Sequence, residues 1–189
     1  MRGRKKKIMQ ISIRKFNEND IHNKIKWIND AKNNRFLHYD LPLVYEKTIL
    51  WFNNNKDRQD RYDAVIEVDN IPVGLIGLLS IDSKNKKAEF YITLGEEMYC
   101  GKGVAKKASN LLLEYAFNIL QLNKVYLYTE IENIGAQKLF EKVGFKKEGT
   151  LKEDLIYNER KVDRYFSGIT KQEYTNHSNY DSTNIYSVK

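Results

Sequence analysis

The sequence predicts an α/β (α+β) domain: a mixed, mostly antiparallel sheet flanked by helices. Three observations carry this. β-rich runs follow one another over residues 62–68, 71–81 and 88–94, with turn signals at Asp69-Asn70 and 82–85 between them. At Gly103 the apolar period lengthens to three and four, with Val104, Ala108, Leu111, Leu112, Tyr115, Ala116 and Ile119 on one helix face. The chain then returns to a strand at 124–130, which embeds a β-α-β unit in an antiparallel meander.

The remaining elements follow in order. Residues 9–14 alternate at period two and predict a first strand. Asn17 is positioned to cap a helix carrying Ile21, Ile25, Trp27 and Ile28. Residues 35–43 are irregular, with Pro42 as a breaker, and a second helix over about 44–54 offers Ile49, Leu50 and Phe52 for packing. Beyond 124–130, a helix at 135–143 places Ala136, Leu139, Phe140 and Val143 on one face. Residues 145–155 and 161–169 pair as a hairpin around Asn158-Glu159. Three parts result: a basic, flexible N-terminus at 1–8, one domain at 9–174, and a polar, loose tail at 175–189.

Composition narrows the function classes. The 189 residues suit one domain, and 41% hydrophobic content supports a core. The net charge of +7 suits a phosphate-rich ligand, while the run Arg2, Arg4, Lys5, Lys6 and Lys7 reads as a solvated end, so nucleic acid is not the expected partner. Cys100 is the single cysteine, which rules out an intramolecular disulfide and a zinc cluster; no metal is expected. No apolar run spans a bilayer and no signal core follows the basic start, so a cytoplasmic location without membrane association is expected.

The most informative segment is Tyr99-Cys100-Gly101-Lys102-Gly103-Val104-Ala105, between a strand and an amphipathic helix. A helix start offers unpaired N–H groups and the positive end of the macrodipole, and glycines let an anion approach that backbone. Such a loop suits a pyrophosphate, with Lys102 adding charge. An ordinary turn into a helix is the competing reading. The P-loop spacing is absent, and Lys106 stands where a dinucleotide fingerprint would need its third glycine.

Cys100 to Ala105 resembles the acyl-CoA loop of the GNAT superfamily, Gln/Arg-x-x-Gly-x-Gly/Ala, matching at Gly103 and Ala105 and departing at Cys100. Glu132-Asn133-Ile134-Gly135-Ala136 and Leu139-Phe140-Glu141-Lys142-Val143-Gly144-Phe145 resemble the family's E-N-x-x-A and L-Y-x-K-x-G-F elements. Ala88 to Ile92 is similar to the strand that opens its acyl-CoA cleft, and the last hairpin resembles the branch of ribosomal-protein alanine, spermidine and nucleotide amino-sugar acetyltransferases. The resemblance covers about residues 9–174.

It implies an acetyl-CoA-dependent N-acetyltransferase whose central strands, 88–94 and 124–130, splay apart. Ile92, Thr93 and Leu94 would flank the pantetheine arm, Cys100, Gly101, Lys102, Gly103, Val104 and Ala105 the pyrophosphate, and Asn133 and Lys138 would add contacts from the next helix. Asn133 also reads as a helix cap. The amine would attack the thioester directly, with Glu89 as general base and Tyr128 as a lesser contact to thiol or carbonyl. The family's usual tyrosine acid is Phe140 here, which cannot donate a proton. Cys100 has no histidine on a matching motif to activate it, so covalent catalysis is not expected.

Acceptor choice is implied to lie in Arg35, His38, Tyr39, Asp40 and Trp51. The loop at 35–40 holds a single carboxylate, which argues against a polyamine, and Arg35 and Tyr39 followed by Trp51-Phe52 resemble the nucleotide amino-sugar acetyltransferases; a polyamine or a protein N-terminus is the alternative acceptor. Packing is the competing reading of Trp51. A non-catalytic CoA- or nucleic-acid-binding module is the alternative from another class. A small-molecule amine is the expected partner, with a homodimer among the expected assemblies.

Overall fold

A computed structural model describes residues 9–177. The basic run at 1–8 and the tail beyond 177 lie outside the described residues. The elements are β1 (Ile11–Lys15), α1 (Ile21–Asn29), α2 (Ala31–Asn34), α3 (Tyr45–Asn55), β2 (Tyr62–Val68), β3 (Ile71–Asp82), β4 (Lys87–Leu94), α4 (Val104–Glu114), β5 (Lys124–Glu130), α5 (Ile134–Val143), β6 (Lys146–Tyr157), β7 (Arg160–Thr170) and α6 (Lys171–His177). The strands form one sheet in the order β1-β2-β3-β4-β5-β7-β6.

Every neighbouring pair is antiparallel except β4 and β5, which lie parallel because α4 carries the chain across between them. That parallel ladder holds only Lys87–Lys124, Ala88–Val125 and Glu89–Tyr126. Beyond it β4 stays paired to β3 as far as Leu94, and β5 to β7 as far as Glu130. The facing edges of the two strands therefore separate into the expected V.

Side-chain parity divides the core between the two faces of the sheet. Ile13, Ile66, Ile76, Phe90, Val125 and Leu127 pack with α4 and α5, through residues that include Leu112, Leu113 and Phe117. On the other face Val65 and Leu75 pack against Phe16, Ile21, Trp27 and Ile28, with partly buried residues of α3. Two hairpin turns form as expected: Asp69-Asn70 and Asn158-Glu159 have positive φ at both central residues, the geometry that matches strand twist.

Several sequence readings are corrected. The cap at Asn17 opens a short 3-10 turn, Glu18–Asp20, and the α-helix begins only at Ile21. A four-residue helix, α2, precedes the irregular loop. Leu50, read as a packing residue of α3, is exposed, and Thr48 is that helix's buried residue. After Glu114 the backbone widens into a π turn at Tyr115–Ile119, which rotates the face by a residue. Phe117 swings in and Ile119, expected in the stripe, swings out. Finally, α6 runs through the first residues of the expected loose tail as far as His177, with Glu173 accepting from the Thr170 N–H at 3.0 Å.

One close approach fixes where β4 ends. The Trp27 indole of α1 lies against the bare Cα of Gly95, and its Nε1–H donates to Glu96 Oε1 at 2.8 Å. Even a Cβ at position 95 would collide with the ring. Gly95→Ala is expected to destabilise the fold by about 1–3 kcal/mol through overpacking. The measurement is the urea midpoint at unchanged m, and an unaltered midpoint would show that α1 is not seated on this glycine.

Candidate active site

The loop after β4 presents open backbone at the start of a helix. A 3-10 turn at Glu97–Tyr99 leads to Gly101 at φ +72° and Gly103 at φ +81°, both in the left-handed region where a side chain is strained. Gly103 is the N-cap of α4 and supplies no side chain to the helix's free N–H groups. A Cβ on either glycine would meet nothing within 4 Å, so each faces open space. The backbone donors divide unevenly. The Cys100 N–H is taken by Glu97 O at 2.9 Å, and the Lys102 N–H reaches Tyr99 O at 3.4 Å. Gly101, Gly103, Val104 and Ala105 make no backbone bond through their N–H groups among the described residues. Lys102, Lys106 and Lys107 are exposed around the loop, and α4 has no acid in its first turn.

Ile92, Thr93 and Leu94 lie past the last β4–β5 pair, hydrogen-bonded to β3 on one side and bordering the gap on the other. Across that gap the Thr129 hydroxyl is buried without a hydrogen-bond partner among the described residues. Asn133 caps α5, its Oδ1 accepting from the Ala136 N–H at 3.1 Å, and Lys138 is exposed on the same helix. Phe140 is buried, edge-on to Phe90 and Phe145 at ring separations of 5.9 and 5.8 Å.

Glu89 belongs to the last residue pair before the strands part, on the face opposite Ala88 and Phe90. It is half-buried and makes no hydrogen bond or ion pair among the described residues. Burial raises its pKa, and the charge of Arg164 opposes that rise. Beside it on the same face stand Tyr126, Tyr128 and Phe166, with ring centroids 5.5–5.9 Å apart. Burial, then the Glu89 charge, raises the Tyr126 phenol. The Arg164 guanidinium covers the Tyr128 ring at 4.5 Å and is also paired to Asp154.

The expected acceptor residues separate into two groups. Arg35 and Asp40 are exposed, with the Arg35 guanidinium 5.0 Å from the Phe36 ring. His38 and Tyr39 turn inward. His38 Nε2 lies 2.8 Å from Glu130 Oε1, and the Tyr39 carbonyl accepts from the Tyr157 hydroxyl at 3.1 Å. Trp51 is not a free stacking platform: Lys24 Nζ sits 3.2 Å from its ring centroid, with the Arg61 guanidinium at 5.2 Å. Burial pulls the Lys24 pKa down to about 8 against the raising charge of Asp63. Asp63 in turn holds Arg61 and accepts from the Tyr91 hydroxyl at 2.7 Å.

Sequence reasoning missed Lys24, Asp63, Tyr126, Glu130, Tyr157, Arg160 and Phe166. For β5 the signal was available: once Val125 and Leu127 are assigned to the core, parity puts Tyr126, Tyr128 and Glu130 together on the other face. Lys24 gave none, because a lysine within an amphipathic helix ordinarily marks the solvent side.

The family model for the acetyltransferase (GNAT) domain matches residues 10–146. The spermidine N(1)-acetyltransferase of Vibrio cholerae serotype O1 is 32% identical over 174 residues, 89% of this chain and 98% of that protein. The putative ribosomal N-acetyltransferase YdaF of Bacillus subtilis is 30% identical over 133 residues, 69% of this chain and 72% of that protein. Among solved structures, spermidine N-acetyltransferase from Vibrio cholerae in complex with CoA and spermine superposes with a TM-score of 0.82 at 27% identity, covering 88% of this chain and 98% of that one.

The glycine cradle with its free N–H groups, and the unpartnered Thr129 hydroxyl beside the gap, fit a ligand with a pyrophosphate and a polar arm. Gly103→Asp would strain the left-handed N-cap and set a carboxylate where the phosphates belong. Calorimetric titration with acetyl-CoA is expected to show affinity weakened by about tenfold or more, the worth of roughly 1.4 kcal/mol. Undiminished affinity would move the anion site off this loop.

Proposed function

The chain belongs to the GNAT acetyltransferase family and is an acetyl-CoA-dependent N-acetyltransferase, and on that footing we propose that its acceptor is a primary amine of a polyamine. The observation that carries the acceptor is Glu89: a half-buried carboxylate without a salt-bridge partner, at the apex of the V, walled by the rings of Tyr126, Tyr128 and Phe166. An unpaired, half-buried carboxylate beside the Tyr126 ring suits an ammonium group. The spermidine enzymes among the relatives favour the same class over a nucleotide-linked amino sugar. The shortage of acid in the loop at 35–40 is offset by the sheet, which adds the unpaired carboxylate of Glu89. With Lys24 over the Trp51 ring, the stacking expected for a nucleotide loses its platform.

Acetyl-CoA supplies the acetyl group as a thioester, whose thiol leaving group has a pKa near about 8.5. The chain's own work is to bind it and to bring a neutral amine to it. The free N–H groups of Gly101, Gly103, Val104 and Ala105 would hold the pyrophosphate, with Lys102, Lys138 and the Asn133 amide alongside. Ile92 to Leu94 would line the arm with the free edge of β4. Glu89 would take the acceptor's proton, since burial brings its pKa closer to the working pH of a base. Phe140 has no proton to give, so the departing thiolate would draw on solvent or on the Tyr128 hydroxyl.

An amine panel with acetyl-CoA, holding spermidine, spermine, an amino-sugar nucleotide and a peptide N-terminus, tests the acceptor. Highest kcat/KM on the polyamines is expected, and a preference for the amino-sugar nucleotide would overturn the reading. Glu89→Gln is expected to lower kcat by about 10²-fold while acetyl-CoA affinity stays nearly intact. The pH dependence has a definite sign. A base works deprotonated, so a raised carboxyl pKa moves the acid limb of kcat/KM above the ordinary glutamate range. Activity then falls as pH drops through that limb, and the limb should vanish in Glu89→Gln. An unchanged profile would remove Glu89 from the proton path.

A further inference from the structure

Glu130, the last residue of β5, has a side chain only 3% exposed, and both its oxygens are engaged. Oε1 lies 2.8 Å from Nε2 of His38, 92 residues away in sequence, and Oε2 accepts from Arg160 Nη2 at 2.9 Å. Arg160 also reaches Glu132 at 3.2 Å. The His38 ring stands edge-on to Tyr157 at 5.0 Å, and the Tyr157 hydroxyl donates to the Tyr39 carbonyl. A carboxylate taken out of water is costly unless its oxygens are paired, so its partners are held in place with it.

The attachments of the loop divide its anchoring from its pose. Its far end is pinned to α1 by a reciprocal pair, Asn29 Nδ2 to Leu43 O at 2.9 Å and Leu43 N to Asn29 Oδ1 at 2.7 Å. Its middle is hydrogen-bonded to the sheet at His38 and Tyr39, through Glu130 and Tyr157. The strand holding His38 is the strand that borders the gap, so the loop takes its position from the edge of the site.

We infer that Glu130 is a positioning residue for acceptor selection: through His38 it clamps the middle of the loop 35–43 against β5, with Arg160 balancing its charge. Loosening this bond leaves the loop's middle held only by the Tyr157–Tyr39 bond and the packing of Leu37 and Tyr39, with its anchor at Leu43 intact. The inference goes beyond the acceptor reading and rests on it only in requiring an amine acceptor.

The test compares Glu130→Ala, His38→Phe and the double variant. His38→Phe keeps an aromatic ring for Tyr157, removes only the bond, and leaves the buried Glu130 its pair with Arg160, so it serves if Glu130→Ala does not fold. With spermidine as acceptor, each single variant should raise the acceptor KM by about tenfold, with acetyl-CoA KM within about twofold of wild type. The double variant should be no worse than the poorer single, because the two residues act through one bond. Amide exchange should quicken at 35–43 and stay unchanged in β4 and β5. Equal rises in both KM values, additive losses, or unchanged exchange at 35–43 would overturn the clamp. If wild type does not acetylate spermidine, the polyamine reading fails. The same comparison with the best amine of the panel, together with the exchange measurement, then judges the clamp by itself.

Discussion

Three residue pairs between β4 and β5 are the whole of the backbone ladder that joins the two halves of the sheet. A parallel pair needs a crossover, and here α4 is the crossover. It packs over the face that both strands share, so the halves are held by side chains where hydrogen bonds run out. The separation beyond Glu89 and Tyr126 leaves backbone donors and acceptors along a gap lined by protein, and such groups are costly unless solvated or paired with a ligand. That gap is the candidate site. The loop that leaves β4 then turns at two left-handed glycines onto the start of α4, so the crossover that makes the strands parallel also supplies the anion cradle.

The two faces of the sheet answer to different physics. The face under α4 and α5 is mostly apolar, with Phe90, Phe140 and Phe145 packed ring to ring and the Thr129 hydroxyl as a buried polar group. The face under α1 and α3 mixes aromatic rings with charge. Lys24 is buried over Trp51, Asp63 binds Arg61 and Tyr91, and Glu130 binds His38 and Arg160. Ion pairs out of water stabilise little in net terms, because desolvation offsets most of their attraction. Their effect is on geometry: a buried charge with fixed partners has few alternative arrangements. That suits a surface that must hold an amine beside a thioester.

The acceptor side shows how far a local reading reaches. The loop at 35–40 does carry one acid, and a polycation does require several. Two carboxylates from far along the chain, Glu89 and Glu130, lie on the sheet face that carries the loop's own contact at His38. Composition within a segment measures only what that segment contributes. A site assembled from several elements is underestimated whenever one of them is taken for the whole.

Most of the fold was legible because it rests on local rules. Alternation marked the strands, Asp69-Asn70 and Asn158-Glu159 marked hairpins through their tolerance of positive φ, and the change of period at Gly103 marked the crossover helix. The glycine turn was legible for the same reason, since glycines before a helix start need no tertiary context to present free N–H groups. What the sequence withheld depends on parity and on contacts between distant residues. A π turn after Glu114 carried Ile119 out of the predicted stripe, and Lys24 went inward because an aromatic ring from α3 was there to receive it. Glu89, Tyr126 and Glu130 became one surface only when the register of β4 with β5 set which sides they share. Sequence by itself determined the elements, their order and the glycine turn before α4. The tertiary structure decided which charges share a face of the sheet, because a residue's side is fixed by pairing across the chain and not by its neighbours along it.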